Sequence, residues 1–239
     1  MDALAKLRQE YAQHADRSID ATDPLHLMGS WLEDAVAAGG AHEPNAMALA
    51  TADASGSPSV RMVLVKGFNA TSGSLTFFTG RTSRKGRELA VNPRAAGTMW
   101  WPLLHRQLRV SGIVTELDQE SVDHYFASRP AGSRLSARAS QQSTPMASPE
   151  VLADALAQLR VAPPDDSIAP DHWGGFVIAP DEIEFWHGRA DRAHDRVVFV
   201  RDGSDAHARV AGRAAEAGDT AVLRPCADAS GWSRAWLQP

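Results

Sequence analysis

The stretch Ala46–Gly80, AMALATADASGSPSVRMVLVKGFNATSGSLTFFTG, decides the fold class. It holds three short runs of strand character, AMALATA, SVRMVLVKG and SLTFFT, separated by Ser55-Gly56-Ser57-Pro58 and Thr71-Ser72-Gly73. β-Branched, aromatic and alternating apolar residues suit a pleated, half-buried strand, whereas Gly, Ser and Pro supply turns. Connections this short join antiparallel neighbours, because parallel strands need a crossover of about a dozen residues or more. Going outward, Ser83 to Ala90 reads as a short helix, and AAGTMWW and RQLRVSGIVTEL add two further strands. The reading is a mainly β protein with flanking helices (α+β), its antiparallel strands forming a small barrel or sandwich.

On the N-terminal side, Leu4, Leu7 and Tyr11 recur at helical steps, and Asp23-Pro24 opens a second helix whose apolar face is Leu25, Met28, Trp31, Leu32 and Val36, ended by Gly39-Gly40. Residues 1–40 thus form an N-terminal helical segment. Beyond the strands, Asp118 caps a helix over 119–129 that Arg129-Pro130 ends, and Ser148-Pro149-Glu150 opens another with Val151, Leu152, Ala155, Leu156 and Leu159 as its buried stripe. Pro163, Pro164 and Pro170 mark an irregular connector. GGFVIAP, EIEFWHG and the run Arg192 to Arg201 read as closing strands. Residues 202–230, rich in Ala, Gly and Asp, read as a weakly ordered surface excursion, and WSRAWLQP as a tail that docks back. Without repeats or a linker, residues 1–239 are expected to form one domain.

With 239 residues, 44% of them hydrophobic, a core can form without staples. Cys226, the single cysteine, excludes an internal disulfide and a thiolate zinc site and fits a reducing compartment. The net charge of −5 opposes a nucleic-acid backbone. No apolar run reaches membrane-spanning length and the start lacks a signal-peptide layout, so a cytoplasmic protein without nucleic-acid or membrane partners is expected. The signatures of dinucleotide folds, P-loops, zincins and hydrolase elbows are missing, and the scattered histidines suggest no metal.

Three clusters could carry chemistry. Arg81-Thr82-Ser83-Arg84-Lys85-Gly86-Arg87 lies where a strand gives way to a helix, and a helix N-terminus with added cations is a phosphate seat; a solvated basic turn is the plainer alternative. Arg61, opening the apolar strand RMVLVK that Lys66 ends, strengthens the phosphate reading, since a charge there needs a partner. Tyr125 and Arg129 share a helix face with Ser133 just beyond Pro130, a set suited to a phosphate monoester, or else a core tyrosine and a dipole-capping arginine. Arg192, His194 and Arg196 fall on one face if their segment is extended, beside Trp186, which could stack on a planar ring or fill the core. Together these suggest a phosphorylated planar cofactor meeting a phosphorylated small substrate.

NAMALATAD, RMVLVKG, FFTGRTSRKGREL, NPRAA, RQLRVSG, YFASRPAGS, ASQQS, WGGF, IEFWHG and RAHDR occur in this order. From about Leu7 to about Arg201 the chain resembles the pyridoxamine (pyridoxine) 5'-phosphate oxidase family, whose fold is the FMN-binding split β-barrel. The resemblance implies a homodimer with FMN at the interface. It also implies oxidation of pyridoxamine or pyridoxine 5'-phosphate to pyridoxal 5'-phosphate, by hydride transfer to the flavin and reduction of O2 to H2O2.

Carried over position by position, Arg61, Met62, Val63, Leu64, Lys66, Phe78, Thr79, Arg84, Lys85, Gln107, Gln142, Ser143, Trp186 and Arg196 would bind FMN. Lys66, Tyr125, Arg129 and Ser133 would hold the substrate phosphate, with Arg192 and His194 as the catalytic pair over the pyridine ring, and Arg8 to Tyr11 resembles a mobile cover. The chain departs from the family at Leu135-Ser136-Ala137-Arg138, at Phe78 in place of a tyrosine, in the excursion 202–230 and in its ending. Two alternatives remain: a phenazine-biosynthesis-type FMN oxidase acting on a reduced heterocycle, and a non-catalytic flavin or pyridoxal-phosphate binding module.

Overall fold

The three runs of the opening stretch pair as antiparallel strands. β1 (Ala46–Ala52) pairs with β2 (Pro58–Phe68) from Ala46↔Leu64 to Ala52↔Pro58, and β2 pairs with β3 (Leu75–Gly80). The computed structural model describes residues 19, 21–39, 43–161, 168–216 and 223–239. β4 (Arg94–Trp101), β5 (Arg106–Glu116) and β6 (Trp173–His187) extend the sheet in the order β3-β2-β1-β4-β5-β6. β3 then pairs with β6 from Leu75↔Ile178 to Gly80↔Trp173, which closes six strands into a barrel. Beyond the closure, β7 (Asp195–Arg201), β8 (Arg224–Pro225) and β9 (Trp232–Trp236) continue the sheet in the order β6-β7-β9-β8. The fold is the antiparallel split barrel with flanking helices that the family resemblance implied, and closure decides the barrel-or-sandwich reading of the strand pattern for the barrel.

Alternation sets the interior. In β1 the buried positions are Met47, Leu49 and Thr51, and in β4 they are Ala95, Gly97, Met99 and Trp101. Helix α1 (Pro24–Ala37) covers part of this core; Asp23 caps it by accepting from the backbone of Leu25 and His26, and Trp31 meets Phe185 edge-on at 5.0 Å. The remaining helices are α2 (Arg84–Val91), α3 (Gln119–Ser128), α4 (Ala131–Ala139), α5 (Pro149–Val161) and α6 (Asp205–Glu216). Among the described residues no helix is long and apolar enough to cross a membrane.

Four expectations need correction. GGFVIAP and EIEFWHG are one strand, β6; the Pro180-Asp181 pair that reads as a turn sits at a register shift opposite Ser111 and Gly112, so the chain bulges and continues. Residues 192–194 are not strand, because β7 starts at Asp195. Within 202–230, α6 is a regular helix, since its alanines are strong helix formers and Ala206 and Ala214 bury small side chains that leave no periodic apolar signal; Cys226 is buried as well. The α5 stripe is only half-buried, with Val151 52% exposed. The segment carrying Leu4, Leu7, Arg8 and Tyr11, together with Gly40, Pro163 and Pro164, lies outside the described residues.

The bulge rests on a glycine: a Cβ on Gly112 would penetrate the Ala179 carbonyl. Gly112→Ala is therefore expected to destabilise the chain by roughly 2 kcal/mol or more, because backbone on both sides cannot give way. A urea unfolding midpoint unchanged from wild type would refute this account.

Candidate functional site

The basic run becomes a site through helix α2. Ser83 caps it, its hydroxyl accepting from Gly86 N at 3.2 Å. Gly86 lets the first turn press against the end of β3, since a Cβ there would collide with the carbonyls of Arg81 and Gly80. This packing carries Lys85 inward, where its Nζ donates to Thr79 Oγ1 at 2.8 Å, Gln142 Oε1 at 3.1 Å and Ser83 Oγ at 3.3 Å. Burial, and then the Arg61 charge, lower the Lys85 ammonium to about 8 against the opposing pull of Glu88.

Arg61 reaches the same place from β2, donating to Thr51 Oγ1 at 2.5 Å, Leu49 O at 3.3 Å and Ser59 Oγ. Glu88, nearly buried, receives Arg61 Nη2 at 3.3 Å on one carboxylate oxygen and Arg84 Nε at 2.8 Å on the other. Thr51 and Ser59 also donate to it, at 2.5 and 2.6 Å. Burial alone would raise the Glu88 carboxyl, but hydrogen bonds from Ser59, Thr51 and Arg84 and the Arg61 charge outweigh it and hold the group at about 2. Around these groups lies a cavity of about 430 Å³ lined by Ser59, Val60, Arg61, Met62, Val63, Phe78, Thr79, Arg84, Lys85, Gln142 and Ser143. Its cations and half-buried donors suit an anion, and its Val and Phe surfaces suit an apolar ring.

Phe78 connects the cavity to the second cluster. Its ring stacks on Tyr125 at 3.8 Å and on Trp173 at 5.3 Å. Asp118 caps α3, whose last turn presents Tyr125; Arg129 is the C-cap, and Ser133 lies in the first turn of α4 after the Pro130 break. The Arg129 guanidinium lies over Trp173 at 4.8 Å and Phe126 at 5.7 Å, and its Nη1 is buried without a hydrogen-bond partner. Burial pushes the Tyr125 phenol up, opposed by Arg129.

The third cluster is elsewhere on the chain. Gln107, Trp186 and Arg196 form one cross-strand row over β5, β6 and β7 through Gln107↔Trp186 and Trp186↔Arg196. Arg196 is held by Glu184 at 2.8 and 2.9 Å and by the Gln238 carbonyl at 3.0 Å. The expected face of Arg192, His194 and Arg196 does not form by strand alternation: Arg192 sits exposed in a short turn at φ 61, and His194 precedes the strand. His194 instead tilts against Trp186 at 4.6 Å and accepts from Arg189 N at 3.1 Å on Nδ1. Burial, then Arg192, push its imidazole below the ordinary value despite Asp195, so it is neutral at neutral pH.

Of the anticipated site residues, Arg61, Met62, Val63, Phe78, Thr79, Arg84, Lys85, Gln142 and Ser143 line one cavity, and Tyr125 stacks against it. Leu64 and Lys66 continue β2 beyond that lining, and Gln107, Trp186, Arg192, His194 and Arg196 are not among its lining residues within one chain. The sequence reading passes over Glu88, Thr51, Ser59, Trp173 and Trp100, which meets Trp186 at 5.6 Å. Only Glu88 carries a local signal, its four-residue spacing from Arg84.

The fold and this site define a split-barrel protein with a cation-lined anion cavity beside an aromatic platform. A family profile described as pyridoxamine 5'-phosphate oxidase matches residues 32–162, and one described as the pyridoxine 5'-phosphate oxidase C-terminal dimerisation region matches residues 173–239. The pyridoxine/pyridoxamine 5'-phosphate oxidase of Burkholderia multivorans is 44% identical over 87% of this chain and 96% of its own length. That of Cupriavidus metallidurans is 46% identical over 83% and 93%. The chain belongs to the pyridoxine/pyridoxamine 5'-phosphate oxidase family. Among solved structures, PhzG from Burkholderia lata in complex with tetrahydrophenazine-1-carboxylic acid is similar at 28% identity and TM-score 0.76, covering 92% of this chain and 94% of its own. A pyridoxamine 5'-phosphate oxidase-related, FMN binding protein from Nostoc punctiforme shares the fold at 16% identity and TM-score 0.65, covering 91% and 98%.

The Lys85 shift has a stability consequence. The folded chain releases this proton near 8 and the unfolded chain near 10.5, so the unfolded state binds more protons between those values and the protein without ligand gains stability as pH rises through the window. Lys85→Met is expected to remove a rise on the order of 2 kcal/mol. Identical pH courses of the denaturation midpoint for both proteins would contradict the burial of a charged Lys85.

Proposed function

We propose that the chain is an FMN-dependent oxidase that converts pyridoxamine 5'-phosphate or pyridoxine 5'-phosphate to pyridoxal 5'-phosphate and reduces O2 to H2O2, working as a homodimer. The observation that carries this reading is the linkage of two cationic places through one set of aromatic rings: Phe78 lines the cavity of Arg61, Arg84 and Lys85 and stacks on Tyr125 and Trp173, and the Arg129 guanidinium lies over Trp173. Two phosphates, one from a cofactor and one from a substrate, fit two such places.

The donor chemistry fits FMN. A ribityl phosphate would take the guanidiniums of Arg61 and Arg84 and the Lys85 ammonium, while Thr79, Gln142 and Ser143 supply polar contacts and Met62 and Val63 an apolar wall. When bound, FMN supplies the hydride acceptor for the substrate's exocyclic carbon and the route to dioxygen. The residues of the chain bind and orient. The buried, unpartnered Nη1 of Arg129 calls for an acceptor, and a substrate phosphate beside Tyr125 and Ser133 would supply one. Lys66, exposed on β2, would add positive charge to the substrate phosphate. Arg192 and a neutral His194 would fix the pyridine ring against Trp186, so remote phosphate binding holds the reacting carbon in place.

A two-fold copy reconciles the separated clusters. Val60, Met62 and Trp100 are 69%, 62% and 42% exposed on the outer sheet face, with Ala48, Ala50 and Ala96 between them, an apolar surface that calls for cover. Trp186, Arg192, His194 and Arg196 lie in the stretch matched as the dimerisation region, so a second subunit would bring its own set to this cavity. The likeness to PhzG supports a second reading, an oxidase of a reduced heterocycle. Arg129 with its orphaned donor beside Tyr125 and Ser133 favours the phosphorylated substrate, because a phosphate dianion offers a guanidinium more charge and more acceptor oxygens than a single ring carboxylate does.

An oxygen electrode with phosphorylated and unphosphorylated B6 vitamers side by side tests the reading; oxygen uptake that does not depend on the phosphate would reject it. Arg129→Ala is expected to raise KM for pyridoxine 5'-phosphate by about 10- to 100-fold with far less change in FMN affinity, as for loss of a charged hydrogen bond. Parallel loss of both would reassign Arg129. His194→Ala should slow anaerobic flavin reduction by on the order of 100-fold, and an unaltered rate would make the imidazole a packing element.

A further inference from the structure

Glu88 has no place in the reading so far, yet it is the most heavily bonded buried side chain beside the cavity. Its side chain is 6% exposed and joins three elements: Thr51 on β1, Ser59 and Arg61 on β2, and Arg84 on its own helix. A carboxylate next to an anion seat opposes the anion by charge alone. Its retention there needs a geometric reason, and the contacts supply one. Arg61 and Arg84 come from different elements, and each is tied to a different oxygen of the same carboxylate. The Arg84 side chain is 57% exposed and would otherwise sample many rotamers, whose ordering would have to be repeated on each binding event. Charge balance gives a second reason. Arg61, Arg84 and Lys85 with Glu88 leave a net of two positive charges, which matches a phosphate dianion and relieves the repulsion among three neighbouring cations, of which Lys85 is buried.

We infer that Glu88 is the positioning residue of the cofactor phosphate seat: it fixes the spacing of the Arg61 and Arg84 guanidiniums in advance and so makes the seat selective for a phosphorylated flavin over an unphosphorylated one. The inference rests on the proposed FMN site and adds to it the residue that sets phosphate selectivity. Glu88 touches the arginines and acts through them. Thr51 and Ser59 hold the carboxylate in turn, so the hydroxyls on β1 and β2 connect the barrel wall to the helix N-terminus.

The test compares FMN and riboflavin binding to the full-length chain by quenching of flavin fluorescence, because riboflavin has the same ring and ribityl chain without the phosphate. Glu88→Gln keeps the size of the side chain and removes its charge. It is expected to weaken FMN by about 10-fold or more while riboflavin changes by less than about 2-fold. In an Arg84→Ala background the same substitution should cost less, since part of its action runs through Arg84. Thr51→Val, which leaves the carboxylate in place and loosens it, should give a smaller loss of the same kind and serves if Glu88→Gln folds poorly. Parallel weakening of FMN and riboflavin, or no weakening of FMN, would overturn the role of Glu88. Wild-type protein that binds riboflavin as tightly as FMN would overturn the phosphate seat itself, and the role of Glu88 with it.

Discussion

The β3–β6 pairing is the contact on which the site depends. It closes the barrel, and its register sets Phe78 opposite Gly175 and Thr79 opposite Gly174. Through that register the end of β3 lies between the helix bearing Lys85 and the Trp173 ring at the start of β6. An open sheet would leave Phe78 on an edge strand, with no Tyr125 or Trp173 to stack on. Closure also buries the N-terminus of α2, and it is this burial that turns a run of basic residues into a cavity.

Bringing cations into that position has an electrostatic consequence that the surrounding groups answer. Lys85, desolvated and beside Arg61, stays protonated at neutral pH because hydroxyl and amide oxygens accept from it and Glu88 offsets the charge. Arg196 at the other cluster is treated in the same way by Glu184, whose side chain is 4% exposed and also receives Arg109. Both of these clusters thus carry a buried carboxylate that fixes an arginine. Arg129 is held differently: it lies against aromatic faces with one donor unpaired. This contrast separates arginines fixed by a buried carboxylate from one that rests on aromatic faces with a donor unpaired.

Much of the fold is legible because its signals are local. Asp23-Pro24 and Asp118 cap helices where their side chains reach the backbone of the next turn, and Ser55-Gly56 and Ser72-Gly73 turn hairpins. The errors share a different cause. Pro180-Asp181 resembles a turn but lies in a strand paired on both sides, where β5 accommodates a bulge through Gly112. α6 hides in a run of alanines, whose burial leaves no apolar stripe. The strand alternation expected for Arg192, His194 and Arg196 fails because Asp191 and Arg192 both adopt positive φ, which turns the backbone before β7 begins.

The sequence by itself determined the strand succession from β1 to β5, the caps at Asp23 and Asp118, the basic helix start and the family, since each is carried by residues adjacent in the chain. Which of the candidate residues share a cavity was decided only by the tertiary structure. Arg61, Thr79, Lys85 and Gln142 converge through strand register and a buried helix end. Glu88 gains its place from Thr51 and Ser59, which lie 37 and 29 residues away along the chain. Pairings across such separations depend on how the sheet closes, and no local pattern of residues encodes that closure.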